Sequence, residues 1–242
     1  MMLNKMIKGL VHKAGFELHR LSPATNPAFQ LLKGLEHLGV NLVFDIGANT
    51  GQFSSGLRSV GYKGQLISFE PLPDAYQALT AAAAHDPLWQ VHPQSALGDV
   101  DGEIEINISG NSVSSSILPM LSAHSMAAAG SAYVDKIKVP IAQLDFVAGE
   151  YLKRAEKYFI KIDTQGFEWE VLNGARETLA NAQGVLCELS LVPLYEGQRL
   201  WVDVMERLES EGFTLWAIQK GFTDPRNGRT LQVDAIFFRL PD

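Results

Sequence analysis

The sequence predicts a doubly wound α/β domain, and three observations predict it. From residue 41 onward short β-rich runs alternate with helical stretches, a pattern that folds into a mostly parallel sheet with helices on both faces. The first run passes into a turn holding Gly47 and Gly51, in "VFDIGANTGQF" from residue 43, where glycines let the backbone come close to a ligand. Acidic residues fall at or near the ends of four runs, at Asp45, Glu70, Asp163 and Glu188.

Taken in order, the strand-like runs are Asn41–Ile46, Gln65–Glu70, Gln90–Ser95, Tyr158–Asp163 and Gly184–Leu189, each rich in Val, Ile, Leu or Phe. Helices are expected at about Gln52–Val60, Pro73–His85, Ile141–Arg154 and Gly166–Ala180. Pro73 suits a first helical turn, and the alanines at 81–84 are strong helix formers. Residues 102–109 ("GEIEINIS") alternate apolar and polar, and 135–141 ("DKIKVPI") do much the same, so a small two-stranded insertion is expected. The loop between them, 110–133, is too long and too aperiodic for a routine connection and reads as a substrate lid. A helix near Leu200–Glu211 precedes two late strands at 213–219 and 231–240. The turn "DPRNGR" between them is too short for a crossover, so they must pair antiparallel. The expected organisation is an N-terminal helical extension (1–40) and one domain (41–242) with an inserted loop at about 102–141.

Composition narrows the class. The 242 residues suit one α/β domain, and 46% hydrophobic with 19% charged residues excludes a disordered chain. A net charge of −7 without a basic stripe argues against a nucleic-acid partner. Cys187 is the only cysteine, so no intrachain disulfide can form, a cysteine-based zinc site is not expected, and a cytoplasmic location is. Lys5, Lys8, His12 and Lys13 interrupt the apolar runs of the N-terminus, so no secretion signal is expected. No segment has the ~18 apolar residues of a membrane span. Met2, Leu3, Met6, Ile7, Leu10, Val11 and Phe16 recur at helical spacing among the lysines. Two readings are open for them: a helix packed on the domain edge, or one touching the cytoplasmic face of an anionic membrane.

The glycine turn excludes some ligands. A dinucleotide fingerprint needs G-x-G-x-x-G, and Asn49 and Gln52 occupy its second and third glycine positions. A P-loop is excluded because no Gly-Lys-Ser/Thr follows. In an open parallel sheet the strand ends face one crevice. Four carboxylates there would repel a pyrophosphate and attract a ligand bearing sulfonium and ammonium charges, such as S-adenosylmethionine. Glu70, at the tip of the second strand, is placed to accept hydrogen bonds from ribose hydroxyls.

The segments "FDIGANTGQF", "SFEPLP", "SALGDVDGEIEI", "VPIAQLDF", "YFIKIDTQGFEWEVLNGA" and "VLCELS" occur in an order and spacing that resembles the FkbM-like methyltransferases, a class I S-adenosylmethionine-dependent family. The resemblance spans roughly residues 41–240, and "KIDTQGFEWEVLNGA" is its most specific piece. It implies a seven-stranded Rossmann-like sheet with a reversed last hairpin and methyl transfer, usually to an oxygen of a sugar or secondary metabolite. It further implies that Asp45, Gly47, Asn49 and Gly51 surround the methionine half of the cofactor and Glu70 its ribose. Ser95 and Ala96 would flank the adenine, with Asp99 a second candidate, and Asp163 would sit beside the activated methyl group. Gln165 stands where relatives often carry an acidic residue, which weakens the case for a metal, and none is assigned.

Methyl transfer from a sulfonium is an in-line displacement, and positioning the acceptor can supply ~7–11 kcal/mol of the barrier. A hydroxyl acceptor also needs a general base, worth about 10²–10⁴-fold. Asp163 is the first choice for that role, with Glu188 and His124 behind it; Asp163 is equally placed to be an anchor at the next helix. Glu168 reads as a helix-capping residue. Ser112–Ser116 reads as either acceptor-binding donors or a lid hinge, and Trp89 as a candidate to stack on a sugar face. The expected partner is a small-molecule or glycan acceptor. The alternatives are a nicotinamide-dependent oxidoreductase, a cofactor-binding module without catalysis, and a magnesium-assisted route through Asp163, Glu188 and a further carboxylate.

Overall fold

The computed structural model describes residue 8, residues 11–153 and residues 157–240. Met2, Leu3, Met6, Ile7 and Leu10 of the proposed amphipathic N-terminal helix lie outside the described residues. In chain order the strands are β1 (Leu42–Ile46), β2 (Gln65–Phe69), β3 (Trp89–Val91), β4 (Ala96–Leu97), β5 (Gly102–Ser109), β6 (Tyr133–Ala142), β7 (Tyr158–Ile162), β8 (Gly184–Ser190), β9 (Thr214–Lys220) and β10 (Gln232–Phe238). The helices are α1 (Pro27–Leu38), α2 (Gln52–Ser59), α3 (Pro73–Ala83), α4 (Ser122–Ala127), α5 (Leu144–Val147), α6 (Gly149–Leu152), α7 (Glu168–Asn173), α8 (Arg176–Asn181) and α9 (Trp201–Ser210).

Seven strands form one sheet in the order β3-β2-β1-β7-β8-β10-β9. The first five of these pair parallel, while β10 runs antiparallel to both β8 and β9. The last strand is therefore an inner one, and β9 forms the edge. Every residue of β1 and β7 is buried, as covering both faces of a parallel sheet requires. Alternate side chains enter opposite layers. Leu42, Phe44, Ile46, Ile160 and Ile162 pack on one side with Leu172, Leu179 and Leu208. Val43, Leu66, Phe159 and Phe238 pack on the other, against Leu31 and Leu35 of α1 and Leu57 of α2.

Three expected elements differ from those observed. The third strand ends at Val91 rather than Ser95, because Pro93 has no N–H to continue the ladder. The chain then turns, and β4 pairs with β6 in a second, three-stranded sheet with β5. The helix expected from Ile141 is replaced by the end of β6 and the single turns α5 and α6. The helix expected over 166–180 is split into α7 and α8 at Gly174, where a Cβ would lie 1.7 Å from the Gly98 carbonyl oxygen. Asp145 then caps α8, accepting from the N–H groups of Glu177 and Thr178 at 3.0 and 2.7 Å.

The strand order reverses direction between β1 and β7, so the crevice above their C-terminal ends is the natural ligand site of this topology. The 110–133 segment closes over it. It contains α4 and is tied to the segment after β8 by a bridge from Met120 to Tyr195 and by the Leu121 N–H donating to Leu194 O. No helix among the described residues is long and apolar enough to cross a membrane.

Candidate active site

A cavity of about 750 Å³ opens above the ends of β1, β2, β7 and β8. Gly47, Asn49, Glu70, Ser95 and Ala96 line one part of it; Asp163, Gln165, Glu188, Asp234 and the serine run 112–116 line another. The glycine turn is shaped by a close approach. Gly47 has φ +71°, and a Cβ there would lie 1.8 Å from the Asp163 carbonyl oxygen, so no side chain fits. Gly51, at φ +88°, precedes α2 against Trp89 and Leu79 and does not line the cavity.

Asp45 corrects the sequence reading. The resemblance implies that it helps surround the methionine half of the cofactor, but its carboxylate is fully buried below the turn and does not line the cavity. One oxygen accepts from the Ser54 hydroxyl at 2.7 Å, and the other lies 3.1 Å from the Lys161 ammonium. Lys161, the register partner of Asp45 across β1 and β7, also donates to the carbonyl oxygens of Ile46 and Gly47 at 3.2 and 2.9 Å. Burial opposes its charge, but Asp45 and Asp163 outweigh that cost and raise its pKa. The pair therefore pins the strand end to the glycine turn. Sequence reasoning missed Lys161; the signal was a lysine inside the apolar run "YFIKI", since such a residue is rarely buried without a partner.

Glu70 clasps the turn from the other side. Its oxygens accept from the N–H groups of Asn49 and Leu72 at 2.8 and 2.9 Å. Burial raises its pKa to about 7, and those two N–H groups only partly offset the shift. Ser95 Oγ is buried at the same wall without a protein partner. Asp99 is not in this cavity: it is exposed and lines a separate polar hollow with Arg176 and Glu177. Trp89 is buried in β3 and donates to Ser68 Oγ at 2.9 Å, so it is a packing residue and not a sugar platform.

Asp163 and Glu188 are joined by Gln165. Its side-chain nitrogen donates to Asp163 Oδ1 at 2.9 Å and to Glu188 Oε2 at 2.8 Å. The Gln232 amide donates to the same Glu188 oxygen at 2.6 Å. Burial among Asp163, Glu168 and Asp234 raises the Glu188 pKa. Asp234, opposite Glu188 in the β8–β10 ladder, is raised by burial to about 6; sequence reasoning missed it inside "LQVDAIFF". Glu168 accepts from the N–H groups of Thr164 and Gly166 at 2.9 and 3.0 Å and so orders the turn leading into α7.

His124, in α4, also reaches the cavity wall. It is packed between Tyr195 and Phe222, with Nε2 3.0 Å from Ser114 Oγ. Burial lowers its pKa to about 4, which makes it a weak proton acceptor at neutral pH.

A sequence model of the FkbM methyltransferase domain matches residues 45–215. The chain belongs to the FkbM methyltransferases. The matched span covers the glycine turn, the strands from β2 to β8 and the Asp163–Glu188 pair, and it does not favour the oxidoreductase alternative. No curated protein sequence matches the chain significantly. Among solved structures this FkbM methyltransferase is similar to a candidate RNA methyltransferase from Pyrococcus horikoshii, at 15% identity and a TM-score of 0.46 over 89% of this chain and 84% of that one. It is also similar to a candidate O-methyltransferase from Klebsiella pneumoniae, at 11% identity and a TM-score of 0.47 over 98% and 89% of the two chains.

Proposed function

We propose that this protein is an S-adenosylmethionine-dependent O-methyltransferase acting on a hydroxyl of a sugar-containing small molecule, glycan precursor or secondary metabolite. The observation that supports it most is that one cavity joins the glycine turn, Glu70 and Ser95 to the Asp163–Glu188 pair and the serine loop. When bound, S-adenosylmethionine supplies a methyl group on a sulfonium. The residues present fit it. Glu70 offers carboxylate lone pairs to ribose hydroxyls at a strand tip, and Ser95 Oγ is a buried hydroxyl in want of a partner at the expected adenine wall.

At the other end, Asp163 and Glu188 stand where an acceptor hydroxyl would lose its proton. Glu188 is the preferred proton acceptor, because burial and the surrounding carboxylates raise its pKa and so make its ionised form more basic. Asp163 shares its carboxylate with the Lys161 anchor, 3.8 Å away. The serine run 112–116 and Phe222 offer hydroxyls and an apolar face to a polyhydroxylated acceptor. The test is a screen for S-adenosylhomocysteine release with sugars, glycolipid precursors and polyketides. A hydroxylated acceptor is expected to raise release above the acceptor-free rate and to gain a methyl on oxygen. Release with none of these classes, or methylation on nitrogen, would refute the acceptor assignment.

A further inference from the structure

We propose that Gln165 is a positioning residue whose amide holds Asp163 and Glu188 side by side and favours the ionised form of Glu188, in the place where other carboxylate pairs share a proton or a cation. Its orientation is fixed from three directions. The carboxylates, acceptors only when ionised, take the amino end, and the carbonyl end then accepts from the Tyr195 hydroxyl at 3.0 Å. The amino group then gives one hydrogen to each. The backbone carbonyl accepts from Ser116 Oγ at 2.6 Å, and the residue sits at φ +54°, a left-handed conformation that a glutamine keeps only when its surroundings hold it there.

The carboxylates around Glu188 oppose its ionisation. Asp163, Glu168 and Asp234 all push the Glu188 carboxyl toward its neutral form, and Lys161 alone opposes them. An amide hydrogen given to a carboxylate favours the charged form. Gln165 supplies one to each partner, with the Gln232 amide adding a second to Glu188. An uncharged side chain thereby relieves the repulsion between the two carboxylates.

The test follows the Glu188 carboxyl carbon by NMR across pH in apoprotein labelled at glutamate, its signal identified by its loss in Glu188→Gln. Gln165→Met removes both donors at similar length. Gln165→Glu keeps an acceptor for Tyr195 but replaces the donors with charge. The Glu188 midpoint is expected to rise by at least about one pH unit in Gln165→Met and further in Gln165→Glu. A midpoint unmoved in either folded variant overturns the proposal; if one variant fails to fold, the other decides. The catalytic use of the pair rests on the methyl-transfer reading, whereas this titration needs neither cofactor nor acceptor. An absence of S-adenosylhomocysteine release and an unmoved midpoint are therefore separate failures.

Discussion

Replacing Lys161 with methionine is expected to destabilise the protein by about 3–5 kcal/mol, a fall of roughly 10 °C in melting temperature for a domain of this size. Asp45 has no exposed surface, so without the ammonium its charge stays buried with only the Ser54 and Ser68 hydroxyls near it. The carbonyl oxygens of Ile46 and Gly47 lose a donor at the same time. The pairing itself is tested by adding Asp45→Asn to Lys161→Met. Removing both charges should recover much of the loss, because breaking a buried pair costs more than replacing it. Scanning calorimetry of the two single variants and the double variant measures this. A melting temperature for Lys161→Met within a degree or two of the parent, or additive losses in the double variant, would contradict the anchoring role.

Glu188→Gln is expected to lower kcat by about 10²–10⁴-fold while leaving KM for the cofactor within a few-fold. The substitution keeps shape and keeps an oxygen for the amides of Gln165 and Gln232, but removes the lone pair that takes the proton. Because burial and the neighbouring carboxylates raise its pKa, the parent rate should climb with pH as Glu188 ionises, and the variant should lose that limb. Asp163→Asn, in contrast, disturbs a residue tied to Lys161 and Gln165 and should change cofactor binding as well as rate. Steady-state kinetics across pH separates the two. A rate for Glu188→Gln within tenfold of the parent would return the role to Asp163, the choice favoured by strand-end position alone.

The sheet was legible because its central strands are buried on both faces, and such strands must read as apolar runs: "LVFDI", "YFIKI" and "GVLCELS" could hardly be anything else. The reversed final hairpin was legible from the short turn before it. The split of the 166–180 helix was not, since it depends on the Gly98 backbone passing Gly174, a contact far apart in sequence. At the site, Gly47, Asn49, Glu70, Ser95, Ala96, Asp163, Glu188 and His124 all line one cavity. Strand-end logic locates an acidic residue along a strand but does not say which face it takes. Asp45 therefore went under the turn to meet Lys161, and Asp234 arrived from a strand assigned only to the hairpin. The Gln165 bridge needs Tyr195 and Ser116, which no spacing in the sequence brings together.

Under the proposed methyl transfer, S-adenosylmethionine binds over the glycine turn and is held by Glu70. Calorimetric titration of S-adenosylmethionine into the parent protein and into Glu70→Ala tests it most directly. Glu70 titrates near 7 in the free protein, raised by burial, and hydrogen-bond donors on the ligand favour its ionised form. One site is therefore expected in the parent, with affinity that weakens as pH falls below about 7 and is lost in the variant. No measurable binding to the parent, or equal affinity in Glu70→Ala, would contradict the account.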